Sequence, residues 1–180
     1  GSLWEQHNEH RIVLSKFLFL ADIYIAGGTT PFLHIANLLL AAGMAIVLIA
    51  FAREVSKVDL YTTVPWVIAA LSFSILQTAN FTDAFQSQFF LASLLPLASL
   101  YYAHRSVKHK TRSFVYFTIA TFLAALSTFS MASGLFAMPT LVVYALLMRM
   151  SWARIGTLVV LAAALIFAYL NGSHSPPSHG

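Results

Sequence analysis

Cysteine is absent from these 180 residues, and Asp, Glu, Lys and Arg together make up only 9% of them. Without Cys the chain forms no disulfide and no thiolate metal site. Soluble domains carry about a quarter charged residues, so charge this sparse argues against a soluble globular domain. Apolar/polar alternation of the kind that marks a membrane barrel strand is missing. Phosphate-loop, dinucleotide and Ser-elbow motifs are missing too, although membrane enzymes often use none of them.

What the chain does have is apolar length. Hydrophobic residues make up 59% of it and the mean hydropathy is +0.78. This composition predicts an integral membrane protein of the all-α class, a polytopic transmembrane helical bundle, because crossing about 30 Å of hydrocarbon takes roughly 20 helical residues. Breakers and charges divide the apolar sequence into six expected spans, near 31–51, 64–76, 89–102, 114–131, 135–148 and 155–170. The first is entered through "GGTTP", where Thr30 is placed to cap and Pro31 to occupy the first helical position. Pro96 predicts a kink in the third. The "ASG" at 132–134 separates the fourth from the fifth, since one helix over 114–148 would be about 50 Å long. The pair Ser130 and Gly134 reads as a small-xxx-small helix contact.

Charge placement agrees with six. Eight of the ten Lys and Arg residues, namely Arg53, Lys57, Arg105, Lys108, Lys110, Arg112, Arg149 and Arg154, fall in the first, third and fifth loops, as cytoplasmic loops should. Residues 12–27, interrupted by Lys16 and Asp22 and ended by Gly27 and Gly28, read as an interfacial helix rather than a span. The organisation expected is an extracytoplasmic segment with that helix at 1–30, a transmembrane bundle at 31–170 and an extracytoplasmic tail at 171–180. Both ends read as cut from a longer chain.

The polar groups gather at the face opposite the basic loops. The stretch "WEQHNEHR" supplies Glu5, His7, Glu9, His10 and Arg11; Asp22 follows, and the loop "QTANFTDAFQSQ" adds Asn80, Asp83, Gln86 and Gln88. Polar density at one membrane face marks a candidate site. The plainer reading is a solvated lead-in to the interfacial helix, with Trp4 as a belt anchor and Glu9 at a positive helix end. Phe81, Phe85 and Phe89, four apart between the polar groups of the loop, suit membrane-belt packing as well as a pocket wall. His7 and His10 flank Glu9 but lack a fixed third ligand, so no metal site is assigned and the cofactor question stays open, a divalent metal included.

The runs "HNEHRIVLSKFLFLADIYIAGG", "FQSQFFL" and "STFSMASGLFAMP" resemble bacterial multi-spanning proteins of the GT-C glycosyltransferase type, including members with an "NEHR" segment, over about residues 4–170. The resemblance implies a multi-pass protein of the bacterial inner membrane, in the cell envelope, that moves a sugar from a polyprenyl-phosphate donor to an acceptor at the extracytoplasmic face. It implies a catalytic carboxylate in the first extracytoplasmic loop, for which Glu9 is the candidate here, unless the base lies upstream of Gly1. His7, His10, Arg11, Asp22, Asn80, Asp83, Gln86 and Gln88 are the candidate substrate contacts. The partners expected are the lipid bilayer and the lipid-linked donor, not nucleic acid. The competing class is a non-enzymatic membrane protein, a transporter or an assembly subunit. A transporter should carry polar or broken-helix features at the bilayer midplane, where this chain offers mainly Asn37, Pro96 and Pro139.

Overall fold

The computed structural model describes residues 13–74, 83 and 86–171, and every regular element among them is helical. Seven α-helices follow in order: α1 Val13–Ala26, α2 Pro31–Ser56, α3 Thr63–Ser72, α4 Ser87–Lys108, α5 Ser113–Ser127, α6 Ala137–Leu147 and α7 Trp152–Leu170. Short 3-10 turns at Lys110–Arg112 and Ala132–Phe136 join α4 to α5 and lead into α6.

The expected boundaries move in instructive ways. Gly27 and Gly28 end α1 in left-handed conformation (φ 63° and 74°), and the Gly28 N–H reaches the Asp22 carbonyl at 3.2 Å. Only residues without a Cβ adopt that pair of angles cheaply. Pro31 does start α2, but Thr30 makes no side-chain cap: its φ is 70°, and its carbonyl instead accepts from the N–H groups of Leu33 and His34. The helix of α4 runs on through Pro96. The break at 132–134 is real, since α5 stops at Ser127 and α6 begins at Ala137.

Six full-length spans are not what these residues form. Two helices, α2 with 26 residues and α7 with 19, are long and apolar enough to cross a membrane by themselves. With 10, 15 and 11 residues, α3, α5 and α6 fall short of the roughly 20 that a crossing takes. The 22 residues of α4 end in a polar, basic turn.

The bundle has two distinct ends. At the upper end Asn37 Nδ2 of α2 donates to the Asp83 carbonyl at 3.1 Å, just ahead of α4. At the lower end Lys108 Nζ of α4 donates to the Glu54 carbonyl of α2 at 3.0 Å. These two ties make α2 and α4 parallel neighbours. α5 returns upward along α4, and α6 and α7 complete the bundle. Both ends of α1 meet the upper end, its Leu14 N–H bonding the Phe129 carbonyl at 3.1 Å while its C-terminus leads into α2. So both ends of α1 lie at the upper end of the bundle.

Small and large residues share the interior. Ala41, Ala45, Ala103, Ala120, Ala124 and Ala145 are buried together with Phe117, Met138, Leu141 and Leu158, and Ser99 Oγ of α4 donates to the Ala120 carbonyl of α5 at 2.8 Å. Many other large apolar side chains stay on the surface, with Phe122, Leu147, Phe167 and Trp152 all more than half exposed.

Candidate functional site

The upper end carries the described part of the polar face. On α1 the buried side chains are the polar ones, Ser15 and Asp22, whereas Phe17, Ile23, Tyr24 and Ile25 are exposed. Ser15 and Asp22 are seven apart, two turns along one side of the helix, which turns that side into the bundle. The Asp22 carboxylate is 3% exposed. Its Oδ2 accepts from the Thr30 N–H at 3.3 Å, whereas its buried Oδ1 accepts no hydrogen bond. A buried charge with half its acceptors idle is expensive, and so it marks a place where a partner would be welcome.

An apolar groove of about 480 Å³ opens among α1, α2, α4 and α5, walled by Leu14, Phe17, Leu18, Phe32, Ile35 and Leu91 among others. Asp22 does not line it; it lies one helical turn beyond Leu18 on α1.

Across the upper end, Asp83 holds two groups. Its carbonyl accepts from Asn37 Nδ2 and from the Gln86 N–H, both at 3.1 Å, and its Oδ2 accepts from Gln86 Nε2 at 3.0 Å. Asp83 itself is exposed. Gln88, expected as a substrate contact, is buried at 6% in the first turn of α4. Ser15, Ser87 and Ser127 are fully buried at this end with no hydrogen-bond partner for Oγ. Serine in an apolar helix ordinarily bonds a carbonyl one turn back, as Ser93 and Thr121 do here, so these three hydroxyls stand apart.

The structure therefore brings Asp83 together with Gln86 and Asn37, and it buries Asp22 against the Thr30 N–H. His7, Glu9, His10, Arg11 and Asn80 lie outside the described residues. Asn37, expected as an interior polar feature near the midplane, lies in the second turn of α2 at the upper end, and Pro139 lies in the first turn of α6. Among the described residues no group of three His, Asp or Glu side chains could hold a metal.

Sequence reasoning did not see the cluster at the lower end. There Glu54 of α2 faces three groups of α4 and the residue after it: Arg105 Nε at 3.7 Å, Lys108 Nζ at 3.7 Å and His109 Nε2 at 3.1 Å. Phe51, Tyr101 and His104 pack beside them, and His104 Nδ1 lies 3.0 Å from the Tyr144 hydroxyl. The available signal was positional, because Glu54 and Arg105 each stand near the lower end of helices that run in the same direction.

No protein-family model, no curated protein and no solved structure matches the chain.

Proposed function

We propose that the protein is a multi-pass enzyme of the bacterial inner membrane that transfers a sugar from a polyprenyl-phosphate donor to an acceptor at the extracytoplasmic face. The observation that carries this reading is that α1 offers both an apolar groove wall, at Leu14 and Leu18 of a groove of about 480 Å³, and one turn further along the buried, half-satisfied carboxylate of Asp22. An amphipathic donor needs both parts, an apolar trough for its tail and polar groups where the trough ends. The many large apolar side chains left on the surface, Phe122, Leu147, Phe167 and Trp152 among them, support the membrane setting. The basic loops at the lower end support a cytoplasmic assignment for that end.

On this reading α2 and α7 cross the bilayer and α3, α4, α5 and α6 pack with them inside it. Helix α1 lies along the outer surface. Glu9 takes the proton from the acceptor hydroxyl. The freed oxygen attacks the anomeric carbon, the bond from that carbon to the phosphate oxygen breaks, and the lipid phosphate departs toward Arg11 or His10. A base must lie within hydrogen-bond reach of the proton it removes, and a guanidinium meets phosphate oxygens in bidentate fashion. Asp22, through its idle Oδ1, accepts from a donor hydroxyl.

The test is transfer by the full-length protein in membranes supplied with a radiolabelled lipid-linked sugar. Glu9→Gln keeps the shape of the side chain and removes its charge, and it should abolish transfer. Arg11→Lys should impair use of the donor because a point charge does not reproduce bidentate contacts. Full activity of both variants would leave "WEQHNEHR" as a structural lead-in and remove the transferase reading.

A further inference from the structure

The lower end holds a separate cavity of about 570 Å³ at the joint between α4 and α5, walled by Arg105, Lys108, His109, Lys110, Arg112 and Tyr116 together with Thr111. Among the described residues no carboxylate lines it. We propose that this cavity binds the phosphate of an anionic lipid headgroup in the cytoplasmic leaflet.

The argument begins with convergence. Positive loops as such need only a count of charges to orient a protein, but here four permanent cations from eight consecutive residues wall one concavity. The 3-10 turn Lys110–Arg112 produces this, because it folds the chain back so that Lys110 and Arg112 stand opposite the last turn of α4. Arg105 lies over the Tyr116 ring, 4.6 Å from its centroid. A guanidinium stacked by its face keeps its N–H edge for planar acceptors. Its Nε is buried without a hydrogen bond and stands 3.7 Å from Glu54 Oε2. Lys110 and Arg112 are exposed and enter no ion pair among the described residues. α5 starts at Ser113, so the positive end of its dipole adds to the same potential. Among the described residues Glu54 is the carboxylate paired with these charges, from the α2 side.

The flanks identify the source of the phosphate. Phe114 and Val115, directly after the cavity wall, are 75% and 53% exposed. An exposed phenyl ring beside a cationic pocket offers a rail for an acyl chain, which a soluble phosphate would not use. The inference rests on the membrane reading but not on the transferase chemistry, which belongs to the opposite end of the bundle.

The test is the dissociation constant of phosphatidylglycerol for the full-length protein in detergent, measured by native mass spectrometry against phosphatidylcholine and against inorganic phosphate as competitor. Phosphatidylglycerol should bind more than about tenfold tighter than phosphatidylcholine, and Lys110→Gln with Arg112→Gln should weaken it about thirtyfold, the loss expected for two cations near a lipid phosphate. Both residues are exposed, so the lipid-free melting temperature should not move. Arg53→Gln with Lys57→Gln removes the same charge from the neighbouring cavity, which includes Glu54 and Asp59, and should leave the constant nearly unchanged. Equal losses in the two double variants would reduce the effect to diffuse charge and overturn the site, as would equal binding of the two lipids. Displacement of the lipid by inorganic phosphate at matching concentration would overturn the lipid assignment. Glu9→Gln should retain lipid binding, which separates this result from any failure of the transferase reading.

Discussion

Asp22 is where a single residue carries the most information. Its side chain is 3% exposed, yet only one of its oxygens is engaged, by the Thr30 N–H. Asp22→Asn keeps an oxygen for that N–H while removing the charge, so its melting temperature should stay near that of the parent. Donor KM in the transfer assay should rise about tenfold, the effect of losing one charge-assisted hydrogen bond. Asp22→Leu should lose stability as well, because the Thr30 N–H would be stranded. If Asp22→Asn keeps the parent KM, the carboxylate serves only to pin the turn after α1. Gly134 is the second informative residue, for a purely steric reason. A Cβ there would overlap the Ser127 carbonyl, and backbone cannot yield as a flexible side chain can. Gly134→Ala should therefore destabilise the bundle by about 3 kcal/mol, at the upper end for overpacking, read as a lowered melting temperature in detergent. The small-xxx-small expectation for Ser130 and Gly134 found the right residue for the wrong reason, since 132–136 is a 3-10 turn and not a helix face.

At the scale of elements, α1 and the α2–α4 pair show two ways of placing polarity in apolar surroundings. α1 turns Ser15 and Asp22 inward and its aromatic residues outward, the reverse of a helix on a water-soluble protein. α2 and α4 instead tie their polar groups at both ends, Asn37 to Asp83 above and Glu54 to Lys108 and His109 below. The Glu54 side chain is 13% exposed, so its interactions are screened less than those of a surface pair. Glu54→Gln leaves Arg105, Lys108 and His109 crowded without a counter-charge. It should destabilise the bundle by about 2 kcal/mol, between the values for exposed and buried pairs. Thermal melts of Glu54→Gln, Lys108→Gln and the double variant would check this, with most of the loss already present in the Glu54 variant. A Glu54 variant as stable as the parent would mean that the lower tie contributes nothing.

For the whole molecule the decisive property is which medium surrounds it. Large apolar side chains such as Phe122, Leu147, Phe167 and Trp152 face out, and an exposed apolar surface is penalised by water but not by hydrocarbon. The chain has no Cys, so single cysteines report topology without background. Thr29 and Thr111 are exposed at the upper and lower ends respectively. Thr29→Cys should react with a membrane-impermeant maleimide added to intact cells, and Thr111→Cys only after lysis. Labelling of Thr111→Cys in intact cells would reverse the assignment of the two ends and move the proposed lipid site outside.

Much of this was legible in the residues themselves. The all-helical class, the stop at Gly27 and Gly28, the start at Pro31, the reversal at 132–134 and the grouping of basic residues at one end all follow from local rules of backbone conformation and charge. These rules act within a few residues, so they survive without knowledge of the fold. Helix lengths were less legible, because an apolar run such as 135–148 does not show where a 3-10 turn gives way to α-helix. Which faces meet was not legible at all. When every side of a helix is apolar, hydropathy marks no stripe, and the row Leu33, Asn37, Ala41, Ala45 that α2 buries is distinguished by side-chain size and by its partner, not by polarity. The pairing of Glu54 with Arg105, the tie from Asn37 to the Asp83 carbonyl and the burial of Asp22 were decided only in the tertiary structure. Where a helix is apolar all round, hydropathy is silent and the fit of side chains in close packing chooses the neighbours.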